Sequence, residues 1–448
     1  MWAGLVCALT LGGCNEAYNA AQRDLVALHA SGRYDAAAAL LDDPANRSRF
    51  GEKSQLLVWL DRGAIGLAQD EPEVAIAELE KAESFMEVRR ESGAGDDLAR
   101  WLINDASTTY IGEPYEEIYV NVLKLAARLE RGELDTSSGG GATVEARRMA
   151  GKADVLRDRY LRMLDAVNKK GAAEVRGWAD ATASTSDGQF IESPLGLMLS
   201  AVAFMKAGES EMQGVAARRL LTAIEAQRGL IGPVRAEDFQ GLGERRSDDV
   251  NVCFVAFSGR GPTKVARTFG PIPIYTYTIY YEIPELEGGS AEADSARVVF
   301  DDASIAPIDL PLVEDMRQVA KANHQRQLPA IQARAILRSS LKAAAVAIGT
   351  EAARYGTRKK ESAQAAVEII GVIGGLLLVS QTEKADLRCW TFLPGQAHAG
   401  IAKVPPGEHR VRIEYLRGGR VLYSTPPRSV NVPAASAGMA TVVEHYWR

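Results

Sequence analysis

The chain has 448 residues, of which 46% are hydrophobic and 25% charged, a balance that excludes a wholly disordered, collagen-like or polytopic membrane protein. At roughly 150 residues per domain, this length predicts two or three domains, each large enough to bury a core. Its 52 basic and 58 acidic residues leave a formal charge of −6. That balance gives no electrostatic reason to expect nucleic acid as a partner, and it does not point to a polybasic membrane patch.

Trp2 to Leu11 is an apolar stretch of the length of a signal-peptide core, about half of the ~20 residues that span a bilayer. It ends in Leu11-Gly12-Gly13-Cys14, where small residues before a cysteine suit a lipoprotein signal peptidase. Residues 1–13 therefore read as a lipoprotein signal peptide, and Cys14 as the lipidated first residue of the mature chain and its membrane anchor. The stretch departs from a standard signal in having no Lys or Arg before it. Inner-membrane retention would call for Asp after the cysteine, and Asn15 stands there, so a periplasm-facing position on the outer membrane is favoured over the inner. Cys7 leaves with the signal, so Cys253 and Cys389 remain, each in a strand-like run. They are either a disulfide formed in an oxidising periplasm or two buried free thiols, the second being favoured.

From residue 14 to about 240 the pattern is helical, in pairs of helices that recur about every 34 residues, as tetratricopeptide repeats do. Leu56 to Met86 is the clearest unit, with Gly63, Ala75, Leu79 and Ala82 at the small and apolar positions. Small residues there let two antiparallel helices approach closely, with Leu79 filling the groove between them. An earlier unit holds Leu25, Gly32, Tyr34 and Leu41; Gly32 ends one helix and Tyr34 packs at the start of the next. Tyr115 to Gly132 and Ala142 to Leu164 form a third, its turn lengthened by Ser137-Ser-Gly-Gly-Gly141. Ser193 to Leu221 gives a looser fourth.

Residues 241–448 read as an antiparallel β domain interrupted by a helical insertion at about 310–380. Val250 to Phe257 is a continuous apolar strand, Ile272 to Ile283 an alternating half-buried one, and Arg297 to Phe300 a short one. Within the insertion, Pro329 suits the first turn of a helix from Ala330 to Ile348. Ile369 to Val379 is apolar and glycine-rich but too short to span a membrane, and reads as a buried helix, a partner-binding or membrane-dipping helix being the alternative. Further strands are expected at Leu387–Leu393, Ala397–Val404, His409–Tyr415, Val421–Ser424 and Ser429–Val432, pairing with those before the insertion. The whole is an α+β chain.

Patterns that carry chemistry are sparse. The five histidines, His29, His324, His398, His409 and His445, show no metal-pair spacing, and no zinc pattern or cofactor motif is expected. Ser258-Gly-Arg-Gly-Pro-Thr-Lys264 lacks the glycine before lysine that a phosphate loop needs. Arg260, Lys264 and Arg267 still cluster there, either in a structural strand-to-loop turn or as a surface for a polar ligand or anionic glycan. Ser339-Ser-Leu-Lys342 matches SxxK but lies in an alanine-rich helix with no companion motif following it, and reads as coincidence. Glu145, Arg147 and Arg148 are candidates to line the inner face of the repeat array, with helix-surface ion pairs as the alternative.

Taken in order, Tyr110-Ile-Gly-Glu-Pro-Tyr-Glu-Glu117, Val144-Glu-Ala-Arg-Arg148, Gly259-Arg-Gly-Pro-Thr-Lys264, Pro329-Ala-Ile-Gln-Ala-Arg-Ala335, Cys389-Trp-Thr-Phe-Leu-Pro394 and Pro405-Pro-Gly-Glu-His409 resemble a family of bacterial tetratricopeptide-containing envelope lipoproteins. Genes of that family often neighbour those of penicillin-binding-protein activator lipoproteins. The resemblance implies support of envelope or peptidoglycan assembly and brings no catalytic residue with it. The expectation is a non-enzymatic, lipid-anchored periplasmic scaffold that binds other envelope proteins through its repeats. The alternatives are a subunit of a surface or motility apparatus and, behind it, a glycan- or peptide-acting enzyme using dispersed carboxylates around Gly259 to Lys264.

Overall fold

The computed structural model describes residues 18–91, 109–135, 140–170, 192–229, 235–274, 277–325, 327–328, 331–332, 335 and 385–448. The signal segment with Cys14, Pro329, the SxxK stretch and Ile369 to Val379 lie outside the described residues. The chain is α+β: a helical layer precedes two stacked sheets and a separate hairpin.

Helix α1 covers residues 18–30 and ends where Gly32 takes a left-handed φ of 67°, a conformation that glycine adopts without steric cost. It is followed by α2 (Tyr34–Asp42), α3 (Pro44–Phe50), α4 (Gln55–Ala68) and α5 (Pro72–Glu91). Next come α6 (Pro114–Glu130), α7 (Ala142–Lys170), α8 (Pro194–Lys206) and α9 (Ser210–Ala226). Start signals are local: Pro opens α3, α6 and α8, where its missing N–H costs nothing, and Asp43 and Ser193 cap the free amides of Ala45 and Gly196. Pairing between α4 and α5 depends on glycine. A Cβ at Gly63 would stand 2.6 Å from Leu79 Cγ, so only glycine lets the two helices close to this distance.

Eleven strands follow among the described residues: β1 (Val252–Arg260), β2 (Thr263–Ile274), β3 (Tyr277–Glu287), β4 (Ser295–Phe300), β5 (Ile308–Leu310), β6 (Leu312–Asp315), β7 (Pro394–Ala402), β8 (Gly407–Arg417), β9 (Arg420–Ser424), β10 (Arg428–Val432) and β11 (Ala440–Tyr446). The first sheet has the order β11-β1-β7-β6, the second β10-β8-β4-β5 with β9 also on β8, and β2 pairs with β3 alone. On β1, Val252, Phe254 and Ala256 point into the sandwich between the sheets, whereas Cys253, Val255 and Phe257 point into the core shared with the helices. A strand covered on both faces reads as an unbroken apolar run, which is why this stretch shows no alternation. The result is three layers: helices, first sheet, second sheet.

Several expectations are corrected. The β domain is not purely antiparallel, because β11 pairs parallel to β1 in the register Val252 to Ala440. The run from Ile272 to Ile283 is not one strand but the end of β2 and the start of β3, which pair from Thr263–Glu287 to Ile274–Tyr277. Strands β5 and β6 occupy residues 308–315, so helix α10 starts at 316 rather than near 310 and already runs through 316–325 ahead of Pro329. Strands on either side of the insertion pair with one another, β1 and β6 with β7, and β4 with β8. Leu387 to Leu393 forms no strand and turns at Thr391 and Phe392. Cys253 and Cys389, by contrast, are free and buried, the favoured of the two alternatives. Cys389 Sγ accepts a hydrogen bond from Gln22 Nε2 at 3.2 Å, and burial pushes its thiol up to about 11 and that of Cys253 to about 12.

Candidate functional site

The sheet-facing side of the helices is occupied by the chain itself. Residues 385–393 lie along it, and the amides of Trp390 and Phe392 are met by helix carboxylates instead of a neighbouring strand. Trp390 N donates to Glu116 Oε1 at 2.9 Å and Phe392 N to Asp61 Oδ1 at 2.7 Å. Arg388 Nη1 reaches Lys53 O at 3.2 Å, and Gly261 N donates to Leu393 O at 2.8 Å. Rings close the seam: His29 lies 5.0 Å from Phe392 and 4.7 Å from Trp447. Below it, Arg428 of β10 bridges Glu130 of α6 at 3.2 Å, Asp70 of the α4–α5 turn at 3.4 Å and Glu444 of β11 at 3.6 Å.

Burial dominates the titration of this seam. It pushes the Asp61 carboxyl up to about 8, even though the Phe392 amide and Thr391 favour the anion. Glu116 is raised by burial and by neighbouring Glu113, despite its bonds from Tyr110 and from two main-chain amides. Glu314 on β6 rises to about 8 by burial, with the Ser193 hydroxyl donating to it at 2.6 Å. Protonated or hydrogen-bonded carboxyls fit a dry interface better than bare anions do.

The residues singled out in the sequence separate into three environments. Gly259 (φ 65°) allows Arg260 N to donate to Ser290 O at 2.8 Å; a Cβ there would fall 1.7 Å from that oxygen. Arg260 and Lys264 therefore flank a structural turn. Lys264, its side chain 9% exposed, pairs with Glu113 at 2.6 Å, and although burial opposes its charge, Glu113 and Asp386 hold it above its ordinary range. Arg267 is exposed on β2 and pairs with Glu285 and Glu287 across the hairpin. These three cations thus form no common ligand surface.

Glu145 does not line an open inner face either. It is fully buried, 3.0 Å from Lys124 Nζ, 3.5 Å from Arg128 Nε, and accepts from Asn121 Nδ2 at 3.0 Å. Lys124 and Lys152 both pair with Glu83 at 2.7 Å. Burial alone would raise Glu83, but the two ammonium groups outweigh it and bring the carboxyl down to about 2. Arg147 and Arg148 stay exposed; Arg147 pairs with Glu209 and Arg148 with Glu145 at 3.4 Å.

A cavity in the described residues lies elsewhere, where α8, the segment 235–245 and the sandwich meet. It holds about 490 Å³, within the range of small-ligand sites at ~300–1,000 Å³. Met198, Leu310, Leu312 and Ile401 supply apolar lining. His398 of β7 borders it, fully buried, with Nε2 3.4 Å from Asp294 O, Nδ1 unpartnered and burial pulling the imidazole down to about 4, so that it is neutral at pH 7. Contributions from residues 198, 235–245, 294–312 and 398–401 leave no local motif, and only His398 carried any sequence signal. Among the described residues no cluster of His, Cys, Asp or Glu suits a metal ion, and no helix is long and apolar enough to cross a membrane. No protein-family model, curated protein or solved structure matches the chain.

Proposed function

We propose that the chain is a lipid-anchored adaptor of the bacterial cell envelope, facing the periplasm through Cys14 and holding other envelope proteins. In this reading the helix pairs are tetratricopeptide-like units. Their close approach at Gly63 and Leu79, and the lipobox-like Leu11-Gly12-Gly13-Cys14, are what support it. The observation that carries most weight is the self-docked seam: helices and sandwich share one buried core, so the molecule is a rigid support rather than an open clamp. Partners then engage the outward surfaces, not the face that residues 385–393 fill.

The carboxylates beside Gly259 to Lys264, on which an enzymatic reading depended, are all engaged structurally. Glu113 pairs with Lys264, Asp386 with Arg388 at 2.7 Å, and Glu116 and Asp61 accept main-chain amides. Envelope crosslinking of the natively lipidated protein against a Cys14→Ala control tests the adaptor. Reproducible crosslinks to envelope proteins that vanish in the control support it; crosslinks only to itself, with an equally soluble control, refute it.

A further inference from the structure

We propose that the 490 Å³ cavity binds a short peptide with free ends, taking its carboxylate at Arg245 and its ammonium at the Asp294 and Asp309 side. The proposal is independent of the adaptor reading, since it concerns the purified chain and a small ligand.

The cavity is bipolar. Arg235 and Arg245 come from the segment 235–245, whereas Asp294, Ser295 and Asp309 come from the sandwich, and apolar side chains share the lining. Arg235 is already held by Asp238 at 2.7 Å, but Arg245 is exposed and makes no ion pair among the described residues. Its backbone is nonetheless fixed. Buried Gln213 donates through Nε2 to Leu242 O at 2.8 Å and to Arg245 O at 2.9 Å, and Leu242 and Phe239 sit in the core. A cation free of an internal partner can meet a carboxylate without first breaking an ion pair, at the usual cost of ordering an exposed side chain.

The opposite side is also preorganised for charge. Gly418 N donates to Asp294 at 2.8 Å and Ser295 Oγ at 2.9 Å, and these bonds hold the carboxyl below its ordinary range, so it is an anion at neutral pH. Asp309 carries a second carboxylate, 77% exposed and paired with Arg297 at 2.6 Å. A purely anionic ligand would face these two carboxylates, and a purely cationic one would face Arg245. A ligand with both signs separated by an apolar body satisfies both sides, and the volume admits two or three residues and excludes a folded partner.

Isothermal titration of the purified full chain with Ala-Leu-Ala, its N-acetylated form and its C-amidated form tests this. The free peptide is expected to bind, with each blocked form about tenfold weaker, as the loss of one charge-assisted contact implies. Arg245→Gln should weaken the free peptide about tenfold and leave the amidated form unchanged; Asp309→Asn should leave the acetylated form unchanged. Both side chains are exposed, so matched thermal melts should confirm intact folds. The inference is overturned by no binding of the free peptide at millimolar concentration, by equal binding of all three forms, or by Arg245→Gln weakening free and amidated peptides alike.

Discussion

Replacing Lys124 with Met removes the cation at the centre of a buried network and makes a quantitative test of the packing between α5, α6 and α7. Its Nζ lies 2.7 Å from Glu83 and 3.0 Å from Glu145, and its own side chain is fully buried. Deleting one partner of a buried pair costs about 3–5 kcal/mol, because the surviving charge stays out of water. Lys152 remains on Glu83, and Arg128 and Arg148 stand 3.5 and 3.4 Å from Glu145, so the lower end, about 3 kcal/mol, is expected here. Urea unfolding followed by both far-ultraviolet circular dichroism and tryptophan fluorescence measures it, with coincident curves checking that one transition is involved. Lys124→Met combined with Glu145→Gln should recover at least half of the loss, since the orphaned carboxylate is gone. Because Glu83 is depressed to about 2, its contribution is full above its ordinary range near 4.5 and fades as pH falls toward 2; Lys124→Met should therefore raise the acid-unfolding midpoint. A loss under about 1 kcal/mol, or a double variant no better than the single, would refute the reasoning.

Two further perturbations probe the seam and the helix pairs. Asp61, lifted from 3.8 to about 8, favours folding most below its ordinary range, and that advantage is lost as pH rises toward 8, at about 1.4 kcal/mol per pH unit. Asp61→Asn should flatten stability between pH 5 and 8 in thermal melts, and an unchanged slope counts against a buried neutral carboxyl. Gly63→Ala places a methyl 2.6 Å from Leu79 Cγ and should cost about 1–3 kcal/mol by overpacking, with Leu79→Ala in the same chain restoring part of it; a neutral Gly63→Ala would mean that the helices do not approach this closely.

Much of the architecture was legible where its cause is local. Gly32, Gly63 and Leu79 announced helix ends and close pairing because their chemistry concerns the next turn or the adjacent helix. The β2–β3 hairpin was misread because alternation continues from β2 into β3 through Ile274 and Tyr277, hiding the reversal. Cys389 to Phe392 reads as part of a strand-like run, yet it ends in a turn at Thr391 and Phe392, and the amides of Trp390 and Phe392 go to Glu116 and Asp61. A strand-like pattern says nothing of which acceptor meets the backbone. The cluster of Arg260, Lys264 and Arg267 was visible, but Glu113, which neutralises Lys264, lies 151 residues away. Parallel β11 and the cavity are likewise products of distant segments, so no spacing rule points to them.

Hydrogen exchange at the Trp390 and Phe392 amides bears most directly on the claim that the chain fills its own helical face. Bonded to buried Glu116 and Asp61, both should exchange only through opening of the shared core, as slowly as the amides of β1, and Asp61→Asn should leave that protection in place because its oxygen still accepts. Exchange at the rate of an exposed loop would mean that residues 385–393 do not hold the helical face. That face would then be open, and a partner segment would be its natural occupant.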